Sequence, residues 1–276
     1  MKKRVRYVRF YGLFGQSLAH SISPQIHRKI YEVAETEAAY KIFEIEPNRL
    51  KSALDAMTVL DIRGANVTIP YKETVIPLLD TVSPLAERLH SVNTIKQVNG
   101  HLAGFNTDYD GIALTFNQRN WRVKDQQVVL LGSGGASHAA AHYFKDQGAR
   151  SICVVSRSAA NQEGEWDYLT YDQLRTQSGD ILVNCTPIGM YPNVDASPVD
   201  KDVIQSFQVI FDMTYNPVET LFLKWAKELE KESTNGLDML VGQAMRSVEI
   251  WEDHTFTPNQ VSQLLAYFRE NWTGAL

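Results

Sequence analysis

Residues Gln126–Ser158 read QQVVLLGSGGASHAAAHYFKDQGARSICVVSRS, and this stretch decides the fold class. Val128–Leu131 is a short apolar run that breaks into Gly132-Ser133-Gly134-Gly135-Ala136-Ser137. An Ala-rich helical pattern follows over Ala136–Gln147, and Gly148 stands where a helix C-cap is expected. A second β-branched run, Ile152–Val155, comes next. Strand, tight glycine turn, helix and strand within about thirty residues make a βαβ unit. Glycines at the turn let the backbone approach a pyrophosphate, and the helix N-terminus offers it free N–H groups and the positive end of a dipole. A glycine turn can also be purely structural, but the full strand–turn–helix–strand context points to dinucleotide binding.

The chain around this unit is long enough, at 276 residues, for two domains. With 44% apolar and 21% charged residues it falls outside the disordered and fibrous classes. A net charge of −5 leaves no electrostatic footprint for nucleic acid. The basic start, with Lys2, Lys3, Arg4, Arg6 and Arg9, lacks the long apolar run of a secretory signal and reads as a solvated strand start. No apolar run approaches membrane-spanning length. Cys153 and Cys185 lie in apolar strand-like runs without a CxxC pattern and read as small buried hydrophobes, so a cytoplasmic protein is expected.

Upstream, strands are expected over Val5–Gly15, Tyr40–Ile45 and Gly64–Ile69, with helices over Pro24–Ala34, Pro47–Met57 and Ser83–Leu89. Ser23 is placed as an N-cap. Ser91–Gln97 and His101–Phe105 flank Asn99-Gly100, a hairpin signal. Asp108–Asn120 reads as a linking helix. Downstream come strands Ile181–Cys185 and Val209–Met213, then helices Glu219–Glu230, Leu240–Trp251 and Pro258–Asn271. The fold expected is α/β and two-lobed, with ligands in a cleft beyond the carboxyl ends of the strands.

Four polar clusters sit where strands end. His20-Ser21-Ile22-Ser23-Pro24 sets two hydroxyls at a helix start, suited to a polyol or carboxylate or simply to capping. In Gly64–Glu73, Asn66 and Thr68 share one strand face and Lys72 follows a turn later. Val92-Asn93-Thr94 is the third. Gly104–Gly111 is the fourth, with Asp108 at a strand-to-helix junction where it can serve as catalyst or as N-cap. His138 and His142 have the i,i+4 spacing of a metal pair, but no Glu completes a metalloprotease signature, and no metal is expected.

Taken together these clusters resemble the shikimate dehydrogenase family. Its pattern HSxSPxxH is met by His20, Ser21, Ser23, Pro24 and His27, and GxNVTxPxK by Gly64, Asn66, Val67, Thr68, Pro70 and Lys72. VNT is met at Val92–Thr94, and GxNTDxxG at Gly104, Asn106, Thr107, Asp108 and Gly111. GSGGAS resembles the family's glycine turn, with Ser137 at its last position. NxTPxGM is met by Asn184, Thr186, Pro187, Gly189 and Met190, and DxxYxPxxT by Asp212, Tyr215, Pro217 and Thr220. GxxMLxxQA closes the series at Gly236, Met239, Leu240, Gln243 and Ala244.

The resemblance implies reduction of 3-dehydroshikimate to shikimate with NADPH, in the route to aromatic amino acids. It implies a substrate domain over residues 1–110, completed by helices in 240–276, and a Rossmann-like NADP domain over 111–239. Lys72 and Asp108 would be catalytic. Shikimate would be held by Ser21, Ser23, Asn66, Thr68, Lys72, Asn93, Asp108 and Gln243, with Tyr215 near substrate and nicotinamide. The cofactor would meet Gly132, Ser133, Gly134, Gly135, Ala136, Ser156, Arg157, Ser158, Thr186, Met213 and Gly236. Those residue types suit the chemistry. A polyhydroxy carboxylate needs many short hydrogen-bonding side chains, and hydride transfer to a ketone needs an acid for the developing alkoxide. The expected partner is the small molecule alone, without nucleic acid or membrane, and the chain is expected to be a monomer or homodimer.

Two departures from the family pattern stand out. NADP-using members typically carry Asn-Arg-Thr after the second strand of the nucleotide domain, with another Arg four residues beyond the first. Here the residues are Ser156-Arg157-Ser158, and Asn161 takes the later position. Arg157 can still clamp a 2′-phosphate, and no acidic residue stands there to favour a ribose diol, so NADP is expected and NAD is the alternative. Ala159–Asp180 is also short, with Gly164, Trp166 and few helix-periodic positions, so the helix of that region is expected to shrink to a loop. Two other readings compete: an NAD-using quinate/shikimate dehydrogenase, and a shikimate-binding regulatory relative without catalysis. Quinate-preferring forms tend to replace the second serine, whereas Ser23 is intact, and a degenerate relative would be expected to lose Lys72 or Asp108.

Overall fold

Strand-forming runs that are apolar on both faces belong inside a parallel sheet, and β1 (Arg9–Gly15, RFYGLFG) is buried from Tyr11 to its end. It lies inside the first of two α/β units in the computed structural model, which describes residues 8–18, 21–157 and 165–274. This unit comprises Met1–Asp108 with Val241–Tyr267. After β1 come α1 (Ser23–Val33), β2 (Ala38–Glu44), α2 (Leu50–Val59), β3 (Ile62–Val67), α3 (Tyr71–Thr74), β4 (Thr81–Val82), α4 (Pro84–Leu89), β5 (Thr94–Val98) and β6 (His101–Phe105). The sheet order is β2-β1-β3-β5-β6-β4, with β3, β5 and β6 antiparallel to one another in turn. Asn99 and Gly100 both take positive φ, 53° and 85°, as the two-residue hairpin between β5 and β6 requires. Ser83 caps α4, its Oγ accepting from the Ala86 N–H at 3.3 Å.

One face of this sheet is largely aliphatic, built on Phe14, Leu54, Met57, Val67, Val75 and Ile95. Elsewhere in the unit, aromatic rings stack on one another. Tyr11 stacks on Trp251 at 4.6 Å, and His27 lies flat on Tyr40 at 3.9 Å. A Cβ at Gly64 would fall 2.3 Å from the Trp251 indole nitrogen, so only glycine lets that ring lie on β3. The indole N–H donates to the Ile95 carbonyl at 2.9 Å.

His27 is 1% exposed and its Nδ1 has no hydrogen-bond partner. Burial pushes its imidazole down to about 3, with a hydrogen bond to Asn66 opposing. The unfolded chain therefore takes up a proton below about pH 6.5 that the folded one refuses until about pH 3. Stability from this group is present above pH 6.5 and is lost as pH falls, roughly 2 kcal/mol between pH 6.5 and 5. Urea midpoints measured against pH should show a steeper acid-side loss for the wild type than for His27→Phe. Identical slopes would mean that folding leaves the His27 imidazole unshifted.

The second unit comprises Tyr109–Leu240 with Phe268–Leu276. The elements from Asp108 onward are α5 (Asp108–Arg119), β7 (Gln127–Leu131), α6 (Gly135–Asp146), β8 (Ser151–Val155), β9 (Asp167–Leu169), α7 (Tyr171–Leu174), β10 (Ile181–Asn184), α8 (Lys201–Gln205), β11 (Val209–Asp212), α9 (Leu221–Glu228), β12 (Glu232–Thr234), α10 (Leu237–Glu252) and α11 (Pro258–Asn271). The sheet of this unit is wholly parallel, in the order β12-β11-β10-β7-β8-β9. This is the doubly wound dinucleotide order, with its topological switch between β7 and β10. Gly148 takes φ +79° just past α6, where a left-handed residue ends the helix.

Several expectations shift. Ser23 is the first residue of α1 and Ile22 its N-cap, because the Ser21 Oγ already receives the Ser23 N–H at 3.3 Å. The Gly64–Ile69 strand ends at Val67, and Pro70 leads into the single turn of α3. The segment before β10 keeps a short strand, β9, and one helical turn, α7, opened by a Thr170–Gln173 capping box. The end of the chain, expected with residues 1–110, groups from Phe268 onward with the second unit. Asp238, 2% exposed, receives Arg269 through Nε at 3.0 Å and Nη2 at 2.6 Å, and Arg119 Nη1 at 2.6 Å. Desolvation opposes its ionisation, yet the hydrogen bonds from the two guanidinium groups hold its carboxyl below the ordinary value. The Trp272 indole adds a bond to the Tyr215 carbonyl at 2.9 Å. A short β4, a short β12, and helices α3, α7 and α8 have too few residues for periodicity to reveal them.

Candidate active site

Segments that follow β1, β3 and β6, with the residues that lead into β5, supply the polar cluster of the first sheet. α3 follows β3 and carries Lys72; α5 follows β6 and starts at Asp108. The Lys72 Nζ donates to Asp108 Oδ2 at 2.7 Å, with the lysine side chain 19% exposed and the carboxylate 4%. Asp108 Oδ1 accepts from Asn93 Nδ2 at 2.9 Å, and the Asp108 N–H donates to Asn106 Oδ1 at 3.0 Å. The residue is thus fixed from three sides. The ammonium carries three protons and spends one on Asp108, which leaves hydrogens for another acceptor.

Asn93 is committed inward. Its Oδ1 accepts from the Thr107 N–H at 2.8 Å and from the Thr94 hydroxyl at 3.1 Å, while its Nδ2 also reaches Gln243 Oε1 at 3.3 Å. Asn66 is similar: its Oδ1 accepts from the Tyr40 hydroxyl at 2.8 Å, and its Nδ2 donates towards Ser247 Oγ at 2.9 Å and Thr94 Oγ1 at 3.0 Å. These two amides chiefly orient their neighbours. Ser21 and Ser23 converge, the Ser21 hydroxyl donating to Ser23 Oγ at 3.1 Å. Thr68 is half-buried against Gly15, where a Cβ would fall 2.7 Å from its Cγ2. His20 lies outside the described residues.

Sequence reasoning passes over Tyr40 and Ser247 and names Thr107 only as part of the GxNTDxxG block; all three complete this network. Ser247 follows Gln243 by one helical turn and donates to its carbonyl at 2.9 Å. That spacing is the one available signal for it.

In the second unit the glycine turn sits at the end of β7, beside β10, at the switch point. Gly132 holds φ +101°, a left-handed conformation, and a Cβ there would lie 2.8 Å from Thr186 Cγ2. Around Gly134, by contrast, no atom beyond the adjoining residues stands within 4 Å of where a Cβ would be. That open space adjoins the N-terminal turn of the twelve-residue α6, whose first N–H groups lack helical partners. Ser133 and Ser156 hydroxyls lie 3.3 Å apart at the ends of β7 and β8. Arg157 follows at once, exposed, with the Tyr171 phenol within reach of its charge. Ser158 and Asn161 lie outside the described residues. A turn open to an anion, hydroxyl donors and a cation after the second strand form a donor set that fits a phosphorylated dinucleotide.

Beyond β10 and β11, Thr186 and Met213 follow the strand ends on the same side. Gly236 presses on Met213, whose carbonyl oxygen would be 2.0 Å from a Cβ at 236. Tyr215 is half-buried, and burial raises its phenol above the ordinary value. Asp212, fully buried behind these loops, has its carboxyl pushed up to about 6 by burial, against hydrogen bonds from Thr220, Thr214 and Asn184. His142 packs edge-on against Trp166 at 5.2 Å, and no group of three metal-ligating side chains occurs among the described residues. Nor is any helix among them long and apolar enough to cross a membrane.

Comparison with known proteins identifies relatives for both units. Residues 13–95 match the shikimate dehydrogenase substrate binding domain. A shikimate dehydrogenase (NADP(+)) of Clostridium beijerinckii is 41% identical over 266 residues, 95% of this chain and 98% of the relative. The crystal structure of shikimate dehydrogenase 1 from Peptoclostridium difficile superposes with a TM-score of 0.92 at 41% identity, covering 97% of this chain and 100% of that one. Shikimate 5-dehydrogenase from Thermus thermophilus, solved with NADP(H) and shikimate, gives 0.84 at 28% identity, covering 94% and 99%.

Proposed function

Because the chain belongs to the shikimate dehydrogenase family, we propose that it is an NADP-dependent oxidoreductase interconverting 3-dehydroshikimate and shikimate. The observation that carries the reading is the Lys72–Asp108 pair at 2.7 Å, anchored by Asn93 and open on the ammonium side. When bound, NADPH supplies the hydride that converts the substrate ketone to an alcohol. The chain's own part is to hold the substrate and move one proton. Lys72 Nζ donates a hydrogen bond to the ketone oxygen and gives up its proton as that oxygen gains charge. Asp108 keeps the ammonium aimed, since its other oxygen is tied to Asn93. In the oxidation direction the neutral lysine takes the alcohol proton back.

The paired Ser21 and Ser23 hydroxyls suit the two oxygens of the substrate carboxylate, and Thr68 and Gln243 suit its ring hydroxyls. Asn66 and Asn93 serve chiefly to hold Tyr40, Ser247, Thr107 and Asp108 in place. On the cofactor side, the N-terminal turn of α6 with Gly134 takes the pyrophosphate, and Arg157 takes the 2′-phosphate. The two free cysteines accord with a cytoplasmic enzyme, and the acidic net charge with a small-molecule substrate rather than nucleic acid.

Initial rates with shikimate and quinate, each with NADP and NAD, test the reading. Turnover with shikimate and NADP is expected to dominate. Equal use of quinate with NAD would favour the breakdown enzyme, and no turnover at all the regulatory relative. Ser21→Ala is expected to raise the shikimate KM about tenfold with a smaller change in kcat, since a hydrogen bond to a charged group is lost in ground and transition states alike. An unchanged KM would remove Ser21 from the site.

A further inference from the structure

The loops that follow β10 and β11 share one buried anchor. Asn184 ends β10 and Asp212 ends β11, and the parallel register sets the two residues side by side. Neither is exposed to solvent, at 0% each. Asp212 Oδ1 accepts from Asn184 Nδ2 and from the Thr214 N–H, both at 3.0 Å, and its Oδ2 accepts from the Thr220 hydroxyl at 2.6 Å. Asn184 passes the constraint on. Its Oδ1 accepts from the Thr186 N–H at 3.0 Å and the Thr186 hydroxyl at 2.7 Å, and its Nδ2 lies 3.3 Å from the Ile188 carbonyl.

One end of this relay reaches the glycine turn and the other the start of α10. Thr186 lies against Gly132. Met213, held between Asp212 and Thr214, lies against Gly236, and the Gly236 N–H donates to the Thr214 carbonyl at 2.9 Å. A carboxylate suits the position because it is acceptor-only, and all three groups around it present hydrogens. Burying an ion is costly, and the three hydrogen bonds to Asp212 offset part of that cost while tying its neighbours to one point.

We propose that Asp212 is a positioning residue for the cofactor: acting through Asn184 and Thr220, it fixes the chain after β10 and β11 and so sets the affinity for NADPH. The inference rests on reading this unit as the NADP site and adds a residue that touches neither substrate nor cofactor. Asp212→Asn preserves shape and can keep the bonds at Oδ1, but turns a donor towards the Thr220 hydroxyl, which must then rotate to accept. Dissociation constants from NADPH fluorescence titration should rise about tenfold in this variant, as for loss of one charge-assisted bond. The shikimate KM should stay at the wild-type value.

A purely structural role would lower the melting temperature and leave the NADPH dissociation constant alone, and that outcome overturns the proposal. Should Asp212→Asn not fold, Thr220→Val against Thr220→Ser decides. Val removes the hydroxyl and is expected to weaken NADPH binding several-fold, about the worth of one hydrogen bond, while Ser restores it. Equal dissociation constants for the two would likewise overturn it. Failure of the wild type to bind NADPH would sink the cofactor reading itself and this inference with it, whereas wild-type binding with unaltered variants sinks this inference alone.

Discussion

Lys72→Met is expected to lower kcat by about 10²–10⁴-fold, the usual worth of a general acid, in a protein that still shows a folded far-UV spectrum. KM for shikimate should move much less, because the lost interaction develops mainly in the transition state. Removing the ammonium leaves Asp108, 2% exposed, held by Asn93 at its carboxylate and by Asn106 at its backbone. Some loss of stability is therefore expected as well, since breaking a buried pair strands a charge. The distinction between a catalytic and a structural pair lies in the rate of the folded fraction. Asp108→Asn should give a loss of similar size, by freeing the lysine from the 2.7 Å bond that aims it. In the double variant the two losses should fall well short of additive if the residues act as one unit. Near-normal kcat in folded Lys72→Met would refute the assignment and leave the pair as a structural bridge at the sheet end.

Arg157→Ala is expected to weaken NADP binding by roughly 10–100-fold and to leave NAD nearly untouched, which follows from a hydrogen bond to a charged group being worth about 1.5–3 kcal/mol. The guanidinium is exposed, open to an incoming phosphate from solvent. It stands directly after Ser156, whose N–H is fixed on the Leu169 carbonyl at 3.0 Å, so its root on the sheet is rigid. A guanidinium matches a phosphate bidentately, which a ribose hydroxyl cannot exploit. Ratios of kcat/KM for the two cofactors, in wild type and variant, provide the measurement. Wild-type preference for NAD, or a variant that discriminates as well as wild type, would move the phosphate clamp elsewhere. With Asn161 where a second arginine would stand, the wild-type preference is expected to be milder than a two-arginine clamp would give.

Local pattern is enough for most of the fold. The βαβ unit around Gly132–Gly135 is readable because its strand, turn and helix each obey a short-range rule: a β-branched run, a left-handed glycine, an Ala-rich helix and a glycine stop. The turn at Asn99-Gly100 is of the same kind, though β5 begins at Thr94 rather than Ser91, and so is α11, which has the bounds expected. The sequence also names the polar residues at the strand ends, through eight blocks that occur in order, since a chemical role fixes residue type at fixed spacing. What it does not hold is any relation set across the chain. That Lys72 meets Asp108 follows from β3 and β6 lying in one sheet with β5 between them, a pairing decided by packing over the whole unit. The assignment of 268–276 to the second unit depends on Arg269 finding the buried Asp238, across an interval of 31 positions. Ser23 has the residue type and place of an N-cap, but Ser21 takes up its N–H. The inward commitment of Asn66 and Asn93, and the relay from Asp212 to Thr186, arise only when partners up to 181 positions apart are brought within about 3 Å of one another. Spacing along the chain records what a residue can do within a turn or two, whereas which distant group satisfies a buried polar atom is settled by the core that surrounds it.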